Sequence, residues 1–574
     1  TTGSYNTAVG YLALSTEDGH GYNTAIGREA LKSLNAGADA ANVAVGMQAG
    51  AEMTTGIRNT LVGTYAGDAL AGGSHNVAIG TYALSTEDTH GKNVAIGYSA
   101  LIVQDAGADA YNVAVGYNAG QAVSTGVRNV IVGGSAGDAI TTGANNTAIG
   151  HEALGGEDTG SKNTAVGAYA LQDANYDGDG HNTAVGYVAG AEITTARYNT
   201  ILGSLAGDAL TTGAENVAVG YGALGQEDGN GKNVAVGMNT LTAQNAGAEA
   251  YNTAVGWDTG KAVTSGVKNT LIGAAAGDAL TTGSNNVAIG EEALSTEDTG
   301  GKNTAIGGNA LKYLDAGADG YNVAVGYDAG LAFTTGVQNT VIGTYAGDAL
   351  TTGGDNVVMG YLALTTANTT EAKNVAIGSY SLNAMDNGST ANTYNTAVGY
   401  YSGVAVTTGI QNTIIGGLAG DAITTGGNNI VIGYNAAASA VDVDNEITLG
   451  DANISAFRCA DQSIAALSDG RDKSEVEESP YGLEFINKLK PVKFTWDFRP
   501  EHMSEAKQGK SRVGFIAQDL QEAMPNNDND VLDLVYEISE NRLEAKYGNL
   551  IPVMAKAIQE LSKEVKELKK QING

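Results

Sequence analysis

Apolar side chains alternate with alanine in a five-residue motif, Asn-(Thr/Val)-Ala-(Val/Ile)-Gly, that recurs along most of the chain. The first copy begins at Asn6 and the last clear copy begins at Asn429. Successive side chains of a strand point to opposite faces, so each motif predicts a short β-strand with alanine on one face and Thr, Val or Ile on the other. An alanine seven positions after most of these asparagines, as at Ala13 and Ala49, predicts a second short strand, reached through the motif glycine.

The spacing of the motifs indicates how the strands are arranged. Up to Asn356, three of every four successive steps between motif asparagines are equal and one is slightly longer, and this four-motif cycle begins at Asn6, Asn76, Asn146, Asn216 and Asn286. A fixed period with one longer connection per cycle is typical of a solenoid. The sequence therefore predicts a mainly β protein, with a parallel β-roll or β-solenoid of about 25 coils over residues 1–450, the repeat region. Asn445 begins a degraded final copy.

The thinness of each repeat predicts association between chains. A coil with about four inward apolar residues, many of them alanine, buries too little surface to be stable alone. Three chains packed together would bury more, so we expect a homotrimer. In this arrangement the alanines would face the other chains, while Val and Ile would fill the interior of each coil. The motif asparagines are expected to stack as a ladder, with each side-chain amide bonding the next coil.

These repeats resemble the NxAxG head repeats of trimeric autotransporter adhesins. The resemblance covers residues 1 to about 450 and implies parallel β-rolls assembled as trimers. It departs from that family in one respect, because the adhesin repeats are shorter than the steps between motifs found here.

Composition separates the repeat region from the rest of the chain. All five prolines follow residue 479, as expected if every amide of the repeat region donates to a continuous ladder. The formal net charge is −32, which argues against binding to nucleic acid or to an anionic membrane. The only cysteine, Cys459, excludes an intrachain disulfide. We expect no cofactor and no membrane insertion.

Two sets of loop residues have more than one interpretation. An aspartate recurs once in each four-motif cycle and could bind calcium or, as we prefer, cap its own turn, so no metal site is predicted. This row consists of Asp68, Asp138, Asp208, Asp278 and Asp348. Tyrosines near the motifs could form a carbohydrate-stacking surface or pack against loops, the interpretation that we prefer. They include Tyr5, Tyr22, Tyr111, Tyr251 and Tyr321.

After the repeats, the pattern changes twice. Residues 451–467 are predicted to form a tip or linker, and residues 468–574 to form a small α+β domain, the C-terminal domain. Apolar residues from Ile551 to Ile572 alternate steps of three and four positions in its final helix. This a/d seam predicts a coiled coil, and a trimeric one would match the repeat region.

The start of the C-terminal domain carries the candidate chemistry, in the sequence Ser-Asp-Gly-Arg-Asp-Lys at residues 468–473. It resembles the S-D-x-R-x-K cleavage motif of the C-terminal intramolecular chaperone domain of phage tailspikes, tail fibres and endosialidases. The resemblance continues through LKPVKFTWD, VGFIAQDLQEAMP and the terminal helix. It implies a domain that trimerises first, guides folding of the β-structure and then cuts itself off.

The same resemblance assigns roles to individual residues. The cut would fall between Leu467 and Ser468, with Ser468 as nucleophile and Lys473 as its base. A lysine serves as a base only where burial or nearby positive charge lowers its pKa. Arg471 could supply that charge, or it could pair with Asp469 or Asp472. Asp472 replaces a residue that is often apolar in the family, which predicts slow cleavage.

The sequence thus predicts a structural virion fibre, a phage tail fibre that attaches to a host surface glycan or receptor. The only catalysis expected is one intramolecular serine-protease cut, with no external substrate. Receptor contact is expected at the tip, near residues 445–467. A bacterial trimeric surface adhesin, exposed at the cell surface, is a second hypothesis. A third is a carbohydrate-degrading tailspike enzyme whose catalytic domain would lie upstream of residue 1.

Overall fold

The computed structural model describes residues 3–227, 229, 231–366, 372–388, 392–454, 456–458, 468–497, 508–525, 528–539 and 542–574. Cys459, Leu467 and most of the predicted linker lie outside these ranges. The chain divides into two compact units. The first comprises Thr1–Tyr380 and Asp386–Thr393, and the second comprises Ser381–Met385 and Tyr394–Gly574.

The first unit is built from three-residue strands that pair in parallel and in register with the strands of neighbouring coils. Thr7 pairs with Thr24, for example, and Thr24 pairs with Val43. The strands are β1 (Thr7–Val9), β2 (Thr24–Ile26), β3 (Val43–Val45), β4 (Thr60–Val62), β5 (Val77–Ile79), β6 (Val94–Ile96), β7 (Val113–Val115), β8 (Val130–Val132), β9 (Thr147–Ile149), β10 (Thr164–Val166), β11 (Thr183–Val185), β12 (Thr200–Leu202), β13 (Val217–Val219), β14 (Val234–Val236), β15 (Thr253–Val255), β16 (Thr270–Ile272), β17 (Val287–Ile289), β18 (Thr304–Ile306), β19 (Val323–Val325), β20 (Thr340–Ile342), β21 (Val357–Met359) and β22 (Val375–Ile377).

The second unit begins with strands of the same kind, again parallel and in register. They are β23 (Thr396–Val398), β24 (Thr413–Ile415), β25 (Ile430–Ile432) and β26 (Ile447–Leu449). The predicted mainly β fold, a parallel β-solenoid of about 25 turns, is confirmed. The degraded final copy is also confirmed, but Glu446 rather than Asn445 occupies the ladder position, because the amide of Glu446 donates to Asn429 Oδ1 at 2.8 Å.

The predicted second strand of each repeat is wrong for the described coils, where a turn follows the motif glycine. In the second coil, Glu29 and Leu31 have φ angles of 60° and 48°. Positive φ is incompatible with an extended strand. The turns nevertheless continue the inter-coil bonding, as shown by the amide of Leu31, which donates to the carbonyl of Ala49 at 3.0 Å.

The predicted assignment of the two strand faces is also wrong. Ala44, the middle residue of β3, is fully buried inside its own coil, whereas the preceding Val43 is 36% exposed. The coil is narrow, so alanine suits its inner wall, and large side chains from the turns, such as Leu31 and Met53, fill the remaining space. The β-branched residues therefore form the outer face of the sheet.

The asparagine ladder connects successive coils, as predicted. Asn59 Oδ1 accepts the backbone amide of Asn76 at 2.8 Å, and Asn59 Nδ2 donates to the carbonyl of Gly73 at 2.9 Å. Both groups are buried, and buried polar groups must find such partners. The side chain thus joins backbone groups of the next coil, and Asn59 Nδ2 also donates to Asn42 Oδ1 of the preceding coil at 3.2 Å.

The C-terminal domain, in the second unit, has α and β elements around a small apolar core. Helices α1 (Leu483–Lys488), α2 (Ala517–Ala523), α3 (Asn529–Leu532) and α4 (Leu550–Asn573) accompany two antiparallel hairpins. The hairpins pair β27 (Val492–Thr495) with β28 (Ser511–Gly514), and β29 (Val535–Ser539) with β30 (Arg542–Ala545). The core contains Tyr481, Phe485, Leu520, Met524, Leu532, Leu534, Val535, Leu550 and Val553.

Helix α4 has two apolar faces with different surroundings. Leu550, Val553 and Ala557 are buried in the domain. The a/d seam is exposed, with exposed fractions of 67% for Ile558 and 80% for Ile572. Among the described helices, none combines the length and hydropathy needed to cross a bilayer.

Candidate functional site

The Ser-Asp-Gly-Arg-Asp-Lys motif forms a short capped turn in the C-terminal domain. Gly470–Asp472 is a single 3₁₀ turn, and Asp469 is its N-cap. The Asp469 carboxylate accepts the backbone amide of Arg471 at 3.0 Å, a local bond that aspartate readily makes at such positions. The turn reverses the chain, so residues five apart in sequence are brought together.

The two residues assigned to catalysis meet across this turn. Lys473 Nζ donates a hydrogen bond to Ser468 Oγ over 2.7 Å. A nucleophile and its base must lie within hydrogen-bonding reach, about 2.6–3.2 Å, for the proton to be transferred. The geometry therefore meets the first requirement of a serine-lysine pair.

Arg471 forms an ion pair with Asp469. Its Nε lies 3.0 Å from Asp469 Oδ1 and its Nη2 also contacts the carboxylate. The hydrogen bond from Arg471 holds the pKa of Asp469 below its ordinary value. The sequence left open whether Arg471 supplies positive charge to Lys473 or pairs with Asp469 or Asp472. The described contacts of its side chain are with Asp469. This pairing stiffens the turn that joins Ser468 to Lys473.

Every motif residue is exposed in the single chain. Water surrounds Ser468 and Lys473, whereas an active lysine base needs burial or positive charge close by. The Asp472 side chain is also exposed, and its backbone amide donates to the carbonyl of Asp469 at 3.1 Å. Leu467, on the other side of the predicted cut, lies outside the described residues.

Comparison with known families finds a match for this part of the chain. Residues 468–529 match the family model described as the chaperone of endosialidase. The match begins at Ser468, the first residue of the motif. No curated protein and no solved structure matches the chain.

The family match and the solenoid together fit an endosialidase-type fibre with a chaperone domain at its C-terminal end. The match confirms the resemblance proposed from the motif, LKPVKFTWD and VGFIAQDLQEAMP segments, all of which lie within residues 468–529. It supports a phage-type fibre that carries its own intramolecular chaperone.

The structure also reveals buried acidic residues that the sequence analysis missed. A glutamate recurs once per four-motif cycle at Glu17, Glu87, Glu157, Glu227 and Glu297, and each is buried. Burial raises the pKa of Glu157 to about 7, with a further contribution from the nearby Asp158. Glutamate is constant at this position of five successive cycles, but so is the aspartate that follows it, so constancy alone did not distinguish the buried residue.

The recurring aspartates lie in the turns, and the capping role preferred from the sequence stays a prediction. Asp68 is half-buried, and its Oδ1 is buried without a hydrogen-bond partner. Burial raises the pKa of Asp68 to about 6. Among the described residues, the clusters of potential metal ligands do not include this row of aspartates.

The tyrosines lie at the surface and contact side chains of neighbouring coils. The rings of Tyr5 and Tyr22 stack with centroids 5.0 Å apart, and Lys92 Nζ donates to Tyr111 Oη at 2.8 Å. Tyr111 is 50% exposed. Packing between coils accounts for these contacts, and carbohydrate stacking on the exposed rings stays a prediction.

Proposed function

We propose that this chain is the precursor of a homotrimeric phage tail fibre whose C-terminal domain directs trimeric folding and then cleaves itself off between Leu467 and Ser468. The hydrogen bond of 2.7 Å between Lys473 Nζ and Ser468 Oγ carries this proposal. The family match that begins at Ser468 supports it. The mature fibre would belong to the virion.

The proposed cut follows from the position of the serine. Ser468 immediately follows the scissile bond, so its Oγ can attack the carbonyl carbon of Leu467 while Lys473 accepts the hydroxyl proton. The bond from that carbon to the Ser468 nitrogen breaks, and the nitrogen takes up a proton to leave as the amine. Water then hydrolyses the ester between Leu467 and Ser468. Each chain performs this reaction once.

Trimerisation would bury the apolar surfaces and the motif residues that are exposed in the single chain. The a/d seam of α4 exposes large apolar side chains, which become buried when three helices associate. The outward Thr, Val and Ile residues of the strands offer a second apolar surface along the repeat region. Association would also allow a neighbouring chain to cover Ser468 and Lys473, and this burial would activate the lysine.

The repeat region explains why a chaperone would be needed. Nearly identical coils can pair out of register at little cost, and non-local β-pairing is slow and prone to aggregation. A trimer formed first at the C-terminal end would set a common register for all three chains. Release of the domain afterwards would leave a fibre that is stable for kinetic reasons.

Intact-mass measurement under denaturing conditions tests the cleavage. We expect the wild type to give two pieces, residues 1–467 and residues 468–574. Ser468→Ala and Lys473→Arg should stay uncut, because the first removes the nucleophile and the second replaces the base with a group that remains protonated. Ser474→Ala, which changes another exposed serine, is the matched control and should be cut. An uncut wild-type trimer would overturn the cleavage and leave a trimerising cap.

Host attachment is proposed for the end exposed by this cut, near residues 445–467. Its support is position alone, since release of the domain would uncover this segment. A host surface glycan or a protein receptor would be the partner. Replacing residues 451–467 with the corresponding segment of a fibre of different host range should change which cells adsorb the fibre. Unchanged adsorption would contradict this assignment.

A further inference from the structure

The buried glutamate Glu87 has only half of its carboxylate satisfied. Glu87 Oε1 accepts the backbone amide of His90 at 3.2 Å. Glu87 Oε2 is buried and has no hydrogen-bond partner, and the whole side chain is inaccessible to solvent. A buried oxygen without a partner is costly, which points to a ligand that the protein atoms do not supply.

Other potential metal ligands lie close to the Glu87 carboxylate, and His90 Nδ1 is 3.6 Å from Glu87 Oε1. Glu87, Asp88, His90 and Asp105 each place one ligand atom in a group whose members all lie within 4.8 Å of one another. Asp105 belongs to the following coil, so the group joins two successive coils. Asp88 and Asp105 are exposed and His90 is half-buried, which leaves the group open to ions from solution.

The first four-motif cycle has a related arrangement. Glu17 Oε2 and His20 Nδ1 are both buried without a hydrogen-bond partner, and His20 Nδ1 lies 3.6 Å from Glu17 Oε1. Glu17, Asp18 and His20 form a second group of potential ligands, and Glu297, Asp298 and Asp315 form a third. The same unsatisfied carboxylate beside a histidine therefore occurs twice among the residues that the structure describes.

We propose that Glu87, Asp88, His90 and Asp105 bind a divalent first-row transition metal such as Zn²⁺ and so link two coils of the solenoid. One imidazole with three carboxylates suits Zn²⁺ or a similar ion better than Ca²⁺, which prefers oxygen ligands alone. The bound ion would satisfy Glu87 Oε2 and offset the mutual repulsion of three carboxylates. The Glu17 group, with three ligands, would bind more weakly.

Small movements would complete the coordination. Tetrahedral Zn²⁺ ligands lie about 3.3 Å from one another, given metal–ligand distances of about 2.0–2.1 Å. The exposed Asp88 and Asp105 can close this gap, whereas buried Glu87 is fixed. The Thr89 hydroxyl lies 2.9 Å from Asp88 Oδ1 and 3.1 Å from His90 Nδ1, so it would give up one of these contacts when the metal binds.

Calorimetric titration with ZnCl₂ tests the proposal on the full-length chain. The protein is first freed of metal with EDTA. Excess Mg²⁺ is then present throughout, to suppress diffuse binding of Zn²⁺ to the acidic surface. We expect saturable binding to the wild type. In Asp88→Asn and His90→Gln the tightest site should weaken by more than about tenfold, the loss that even an outer-shell partner commonly gives.

The chain offers a matched control in the next cycle. Asp158 follows Glu157 as Asp88 follows Glu87, but Gly160 and Asn175 replace the histidine and the second aspartate. Asp158→Asn therefore removes the same charge at the same position of the cycle and should leave Zn²⁺ binding unchanged. Absence of saturable binding to the wild type, or equal weakening by Asp158→Asn and Asp88→Asn, would overturn the proposal. Circular dichroism checks that all variants are folded.

Discussion

At the scale of single residues, the repeat region depends on asparagines whose side chains are buried between coils. Asn129 Oδ1 accepts the amide of Asn146 at 2.9 Å, and Asn129 Nδ2 donates to the carbonyl of Gly143 at 2.9 Å. Asparagine offers an acceptor and a donor on two separate atoms of a short side chain, whereas serine and threonine carry both on a single hydroxyl oxygen. Aspartate lacks the donor, and glutamine is longer by one methylene. The motif is constant at this position for that reason.

Asn129→Ala should destabilise the chain, because it leaves the amide of Asn146 and the carbonyl of Gly143 buried without these partners. We expect a loss of about 1–3 kcal/mol in the free energy of unfolding for each unsatisfied group. Urea denaturation measures the effect. Thr125→Ala changes an exposed residue of the preceding turn and should stay within about 0.5 kcal/mol of the wild type. Equal stability of both variants would argue against the ladder.

The buried Glu157 predicts a dependence of stability on pH. Burial raises its pKa from the ordinary 4.5 to about 7, and the charge of the nearby Asp158 raises it as well. The folded state therefore binds the proton more tightly than the unfolded state. Stability from this group is present below about pH 4.5 and is lost as the pH rises to about 7.

Glu157→Gln keeps the shape of the side chain without its charge, so it should remove this contribution to the pH dependence. Relative to the wild type, we expect the variant to gain stability when urea denaturation is moved from about pH 5 to about pH 8. Glu291→Gln, at an exposed position, is the control and should show no such gain. A constant difference between Glu157→Gln and the wild type would contradict the raised pKa.

The sequence alone identified the candidate catalytic residues Ser468 and Lys473, but it did not identify the buried glutamates. Ser468 and Lys473 were predicted from a family motif, and their contact follows from the turn that the motif encodes. Charged side chains are expected at the surface, so nothing in the residue type of Glu87 predicted its burial. Its recurrence once in each four-motif cycle is shared with Asp88 and with the row of aspartates that includes Asp68, so recurrence did not identify it as buried.

At the scale of the element, each coil of the repeat region is one short strand and a turn held at a fixed distance from the next coil. The motif glycine makes this approach possible. Gly133 has φ of 142°, and a Cβ placed on it would lie 2.2 Å from the carbonyl oxygen of Gly150. That separation is well inside the contact distance between carbon and oxygen, so a side chain would force two coils apart.

Gly133→Ala should therefore be far more damaging than Gly134→Ala, although the two glycines are adjacent. A Cβ on Gly134 would meet only a side-chain atom of His151, at 3.7 Å. We expect Gly133→Ala to increase amide hydrogen exchange in β8 and β9, with a cost above about 1–3 kcal/mol from strained backbone alone. Gly134→Ala should preserve the protection of these strands. Similar exchange in both variants would refute the close packing of glycines.

The sequence predicted the order and register of the strands but not the path of the chain between them. The period gives the register directly, because equivalent residues of successive coils must stack. The turns also carry alternating apolar residues, so their pattern resembles a strand even though residues such as Leu31 have positive φ. Alternation separates two faces without showing which one is inside, and for this reason Ala44 and Val43 were assigned to the wrong sides.

At the scale of the whole molecule, the two apolar faces of α4 have different roles: one packs in the core of the C-terminal domain, and the other is the surface proposed for association between chains. One face is buried against the rest of the C-terminal domain, through residues such as Val553 and Ala557. The other face, the a/d seam, is exposed in the single chain. The heptad spacing was readable from the sequence, whereas the separation of two apolar faces required the packing of α1 and the hairpins around the start of the helix.

Ile558→Asp should prevent trimer formation, because the seam would then bury a charge without a partner. Light scattering of the Ser468→Ala protein, which retains the domain, should give three times the chain mass of 58.0 kDa. Adding Ile558→Asp should reduce that mass. The control, Gln559→Asp, introduces the same residue at the next exposed position, off the seam, and should remain trimeric. Equal masses for the two variants would contradict the coiled coil.

The final coil, where Glu446 takes the place of a ladder asparagine, acts as a terminator. A carboxylate cannot donate, and its oxygens are engaged within the same coil, at 2.9 Å from the amide of Ser439 and 2.9 Å from the Thr448 hydroxyl. A coil ending in another asparagine would keep a side-chain donor available to a further coil, the kind of template that every open sheet edge presents. Glu446 offers no such donor, so the pattern of side-chain bonds that links one coil to the next ends here.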